Sequence, residues 1–158
     1  MTVLLVWLHV LAEVSWIGGT IFLSLVLVPV LKRGSFASQK ALLFRTIARR
    51  FRAVVWGAIA VLLFTGPLLL HQRGILVADP SGWPMVLAVK LELMTILLLL
   101  TLTHDLVIGP RVGLVVQIPA ESRTTFDHAL VLWSPWVARF SLFLALAVLF
   151  AAVMLVRT

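Results

Sequence analysis

The stretch VLLVWLHVLAEVSWIGGTIFLSLVLVPVL, residues 3–31, determines the class of this protein. It is longer than the roughly 20 apolar residues that cross a bilayer as one helix, and no basic segment of a cleaved signal peptide precedes it. At about 100° per residue, four side chains of this helix fall on one face: His9, Glu13, Trp16 and Thr20. Ser24 lies at the edge of the same face. An ionisable residue facing lipid costs about 2.5–3.5 kcal/mol, so we expect this polar stripe to face protein, a cofactor or water.

The composition extends the membrane assignment to the whole chain. The 158 residues are 62% hydrophobic and 12% charged, and the mean hydropathy is +1.14, whereas a soluble domain is about half apolar and a quarter charged. The length allows four spans and no separate soluble domain. We therefore predict an all-α integral membrane protein, a single four-helix bundle over residues 1–158, with spans at about 3–31, 53–70, 85–108 and 137–156.

The cationic residues are concentrated between the first two predicted spans. Seven of the thirteen lie there: Lys32, Arg33, Lys40, Arg45, Arg49, Arg50 and Arg52. Short loops rich in lysine and arginine stay on the cytoplasmic side. We therefore predict that both termini face outward, in the periplasm if the host is bacterial, and that the protein resides in the inner membrane. This clustering is typical of topology and lipid contact, and it does not indicate nucleic-acid binding.

The polar stripe predicts a cofactor site near the outer side. A four-helix bundle can hold one b-type haem between an axial histidine and a ligand from another helix. His9 is the predicted axial ligand, and His71 or a neutral Lys90 is the predicted second one. Trp16 is expected to pack on the macrocycle, and Gly19 to admit the macrocycle or a neighbouring helix. The alternative is structural: His9 bonds a carbonyl and Glu13 pairs with Lys90 inside the bundle.

Copper is the alternative metal. A copper pathway in a membrane usually offers cysteine, methionine and histidine, but this chain has no cysteine and four methionines, none of them paired. His9, His71 and Lys90 are also the candidate ligands for such a metal.

Two secondary candidate sites lie toward the inner side. His104 and Asp105 form a possible proton or quinone site, or else a solvated helix end. Arg49 and Arg52 share one helical face. We expect this face to contact anionic lipid or cofactor carboxylates, or else to determine only the topology.

The motifs resemble those of a known family. His9-x6-Trp16-x2-Gly19 with Pro29 is similar to the first helix of the copper-resistance D-type membrane domain, as are Arg49-Arg50-Phe51 with Thr65-Gly66. Lys90, with His104 and Pro110 after it, fits the same pattern. The oxygen-independent membrane protein that oxidises protoporphyrinogen is also similar over spans one to three. The latter resemblance implies a b-type haem and a functional pair at His9 and Lys90, although the proline follows Gly19 at a greater distance here.

These observations favour a membrane haem b protein that transfers electrons or performs quinone-linked redox chemistry. If it is an enzyme, it is a membrane oxidoreductase similar to protoporphyrinogen oxidase. Its predicted partners are the lipid bilayer, a quinone, and further copies of itself or a larger redox complex. The alternatives are a copper transport or resistance protein and a cofactor-free subunit of a larger membrane complex.

Overall fold

The computed structural model describes residues 2–32 and 37–157, and every regular element within them is helical. Six α-helices follow in chain order: α1 Thr2–Phe22, α2 Val28–Lys32, α3 Ala37–Gln72, α4 Met85–Thr103, α5 Gly109–Val115 and α6 Thr125–Arg157. A π-helical turn, Leu23–Leu27, joins α1 to α2, and a second, His104–Ile108, joins α4 to α5.

Four helical stretches are long and apolar enough to cross a membrane: Val3–Val30, Thr46–Gln72, Met85–Val115 and Thr125–Val156. This confirms the prediction of an all-helical membrane protein with four spanning segments. All but the first are longer than predicted. The third continues past Gly109-Pro110 because the π turn His104–Ile108 leads directly into α5.

The fourth stretch begins twelve residues before the predicted position 137 because a capping motif starts α6 at Thr125. The Asp127 carboxylate accepts hydrogen bonds from the Thr124 backbone N–H at 3.1 Å and from its hydroxyl at 2.7 Å, while the Asp127 N–H donates to Thr124 Oγ1 at 3.2 Å. This reciprocal pair satisfies donors that would otherwise be unpaired at the helix start.

The chain forms two compact units, Met1–Pro84 and Met85–Thr158. In the first, α1 packs on α3, and the buried side chains include Trp16 and Ile17 of α1 with Ile59 and Leu62 of α3. In the second, α4 packs on α6, with the core residues Leu97, Leu144, Ala145 and Val148. Each unit is thus a helical hairpin with its own apolar seam. The single domain over residues 1–158 stays a prediction.

Both π turns have the same cause. Val28 N–H bonds to Leu23 O, and Gly109 N–H bonds to His104 O, five residues back in each case. Pro29 and Pro110 follow directly. A proline has no N–H and its ring clashes with the carbonyl four residues earlier, and the wider π turn relieves that clash.

In the two hairpins, corresponding residues lie at the same sequence distance from these turns. His9 lies 14 residues before the turn that begins at Leu23, and Lys90 lies 14 residues before the turn that begins at His104. Three residues before each turn stands a threonine whose hydroxyl bonds the carbonyl four residues back, at 2.9 Å for Thr20 and 2.8 Å for Thr101. The two predicted ligands therefore occupy equivalent positions in their own hairpins.

Candidate functional site

The His9 ring is held between α1 and α3 by a hydrogen bond to Thr65. His9 Nδ1 lies 2.7 Å from Thr65 Oγ1, and Thr65 donates its own hydroxyl proton to Val61 O at 2.7 Å. Because that proton is already used, the His9 Nδ1 must supply the hydrogen of the first bond. The hydrogen-bond network thus places a hydrogen on Nδ1.

This arrangement fixes the direction of the imidazole. Thr65 is only 2% exposed, and a methyl group placed on the adjacent Gly66 would lie 3.6 Å from His9 Cε1, in ordinary contact. A histidine that ligates a metal through Nε2 commonly has its Nδ1–H held by such a partner. In the sequence, Thr65-Gly66 stands out only as part of the family resemblance. The contact of Thr65 with His9 is a tertiary contact that helical spacing does not predict.

Glu13 lies one turn along α1 from His9 and is 9% exposed. No hydrogen bond or ion pair is found for its carboxylate within residues 2–32 and 37–157. A buried carboxylate without a partner is costly. The position is therefore unusual for a residue with only a packing role, and it places an ionisable group beside the His9 turn.

Trp16 and Gly19 form the tight contact between α1 and α3. Trp16 is buried. A Cβ built on Gly19 would lie 2.7 Å from Phe51 Cζ and would overlap the ring, so the ring of α3 occupies the space beside the glycine. Gly18 has open space at the same point. The contact seen at Gly19 is that of a neighbouring helix, one of the two uses predicted for it, and Phe51 was not predicted as its partner.

His71 is exposed near the end of α3. Six residues separate it from Thr65, which places it about 9 Å further along the helix and about 120° around it. The His9 ring is at the level of Thr65. The two histidines would therefore need a bend at Pro67 to ligate one iron, and α3 continues through Pro67 as a helix.

The second hairpin carries the remaining predicted ligand. Lys90 is half-buried in α4, and within the described part of the chain its ammonium group has no hydrogen-bond partner. Glu92, two residues on, is exposed.

His104 and Asp105 lie inside the third spanning stretch, which changes the interpretation of a solvated helix end. Their side chains approach to 3.3 Å between Nδ1 and Oδ1, with 36% and 15% of their surfaces exposed. The helix continues to Val115, about 15 Å beyond them. Both belong to the π turn.

The arginines differ in their surroundings. Arg111 lies over the Phe126 ring at 5.2 Å and Arg139 over the Trp136 ring at 4.8 Å. Arg49 and Arg52 are exposed on α3.

Among the described residues, no group of three or more histidine, cysteine, aspartate or glutamate side chains lies close enough to hold a metal ion. Comparison with protein-family models, with curated proteins and with solved structures finds no match to this chain.

Proposed function

We propose that the first hairpin binds haem b through His9 and that the protein transfers electrons within the membrane. The observation that supports this most directly is the hydrogen bond from His9 Nδ1–H to Thr65. It orients the imidazole through Nδ1–H, as the orienting partner of an iron-ligating histidine does.

The metal-ligating side chains of this chain suit haem better than a metal ion held by protein ligands alone. Haem brings four nitrogen ligands of its own, so the protein need supply only one or two axial groups, and the described residues form no cluster of three acidic or histidine ligands. Bound haem would supply one-electron redox chemistry. Lys90 and His71 stay the predicted second ligands.

The proposed setting is the bacterial inner membrane, with both termini outward and a quinone as the redox partner. The resemblance to the protoporphyrinogen-oxidising proteins makes a related oxidoreductase activity the specific enzymatic proposal. The polar stripe of α1 supports a site within the membrane, where lipid-soluble substrates are concentrated.

A visible spectrum of the purified protein tests this proposal. We expect a Soret band that shifts on reduction, and we expect His9→Ala to lose it. His128→Ala is the matched control, because His128 is exposed near the start of α6, and it should retain the spectrum. A wild-type protein with no Soret band after expression with ample haem would exclude the proposal. So would a His9→Ala variant with an unchanged spectrum.

Thr65→Val separates a ligand role from a structural one. Valine keeps the shape of threonine but cannot accept the Nδ1–H bond. Loss of such an orienting partner typically lowers metal affinity by about 10- to 100-fold. We expect the variant to fold, to bind haem more weakly and to show a shifted reduction potential. An unchanged potential and affinity would mean that Thr65 does not act on the ligand.

Copper transport is the second candidate, since a neutral imidazole is also a copper ligand and Glu13 offers a buried carboxylate nearby. Stoichiometric copper that is lost in His9→Ala, without a Soret band, would establish it. A protein with neither haem nor copper that co-purifies with other membrane proteins would instead be a cofactor-free subunit.

A further inference from the structure

We propose that Arg49 and Arg50, near the start of α3, bind the phosphate head group of an anionic phospholipid. This inference is independent of the haem proposal, and it concerns the opposite end of α3 from His71. It depends on the charge of the chain, on the surroundings of each arginine and on the direction in which α3 faces.

The charge near these residues is unbalanced within the chain. No aspartate or glutamate occurs from Val14 to Ala78, while seven lysines and arginines lie between positions 32 and 52. Neighbouring residues in this stretch therefore cannot neutralise the cations. An anionic group from outside it can do so, and the phosphate of a membrane lipid is such an anion at this depth.

Arg49 and Arg50 differ in their surroundings from three arginines of the second hairpin. Arg111 and Arg139 each lie over an aromatic ring, and Arg123 donates to the carbonyls of Ile118 at 3.0 Å and Val116 at 3.3 Å. In contrast, no partner is found for Arg49 or Arg50 in the described ranges, and both are exposed. Their donors are thus available to a ligand.

The contact between Gly19 and Phe51 sets the direction of the two arginines. The Phe51 ring faces α1. At about 100° per residue, Arg50 lies about 100° from Phe51 and Arg49 about 160° from it, on the side of α3 away from α1. Packing within this hairpin therefore leaves Arg49 facing outward.

The depth also suits a head group. The spanning stretch of α3 begins at Thr46, so Arg49 lies about 4.5 Å inside its end at 1.5 Å per residue. Arginine at that level reaches the phosphate layer with its long side chain. The guanidinium group donates two parallel hydrogen bonds to phosphate oxygens. The head group of a zwitterionic lipid also carries a positive charge that repels the arginine, whereas the head group of an anionic lipid does not.

Native mass spectrometry of the delipidated full-length protein, titrated with phosphatidylglycerol or with phosphatidylcholine of the same acyl chains, tests the proposal. We expect the wild type to retain phosphatidylglycerol preferentially. In Arg49→Gln/Arg50→Gln we expect this preference to fall roughly 30-fold, at about 1 kcal/mol for each arginine. Arg73→Gln is the matched control. Arg73 is exposed, its side chain has no partner among the described residues, and it follows the other end of α3, so its removal should leave the preference intact.

A wild type that binds both lipids equally would overturn the proposal, as would a double variant that keeps the preference or an Arg73→Gln variant that loses it to the same extent. If the double variant does not fold, the wild type still provides a test. Raising the salt concentration should weaken phosphatidylglycerol retention. An excess of inorganic phosphate at matched ionic strength should not displace the lipid; displacement would show that the site takes free phosphate.

Discussion

At the scale of single residues, Gly19 is the position where the first hairpin has no room for a side chain. A Cβ there would overlap the Phe51 ring. We expect Gly19→Ala to lower the free energy of unfolding by about 1–3 kcal/mol, the usual cost of overpacking a core. Thermal unfolding in detergent, followed by circular dichroism, measures this effect.

Gly18 provides the matched control for that experiment. It is the adjacent glycine of the same helix, and a Cβ on it meets no atom within 4 Å. Gly18→Ala should be neutral or slightly stabilising, because alanine favours a helix more than glycine does. Replacing Phe51 with leucine in the Gly19→Ala background should restore part of the lost stability. Equal effects at Gly18 and Gly19 would contradict the proposed contact.

At the scale of helices, a π turn followed by a proline occurs in both hairpins. In Pro29→Ala and Pro110→Ala, the new N–H can bond the carbonyl four residues earlier, at Leu25 and Leu106, and the turn can become α-helical. We expect slower amide hydrogen exchange in the peptide that contains each turn, measured by mass spectrometry. If exchange is unchanged in both variants, the prolines do not cause the turns.

At the scale of the whole chain, the number and direction of the crossings can be tested with single cysteines, since the chain has none of its own. Ser81 and Ser122 are exposed in the segments that precede α4 and α6. The positive-inside rule predicts that a membrane-impermeant maleimide labels Ser81→Cys in intact cells and labels Ser122→Cys only after permeabilisation. The reverse pattern would invert the predicted orientation, and labelling of both would exclude the predicted arrangement of four spans.

The four spanning helices were predictable because long apolar runs leave few other structures in a bilayer. Their ends were less predictable. The start of α6 depends on a local hydrogen-bonded cap at Thr124 and Asp127, and the continuation past Pro110 depends on a π turn. At the candidate site, helical spacing identified His9 and Glu13. The hydrogen bond between His9 and Thr65 joins residues 56 positions apart, and no spacing rule within one helix predicts it.

The pairing of His9 with Thr65 also bears on how the protein is synthesised. As α1 leaves the ribosome it carries an imidazole and a carboxylate, and the threonine that bonds the imidazole lies on α3, which has not yet emerged. Exposed to acyl chains alone, such groups oppose partitioning from the translocon into lipid. We expect α1 to wait in or beside the channel until α3 arrives, so that the two helices enter the bilayer together as a hairpin.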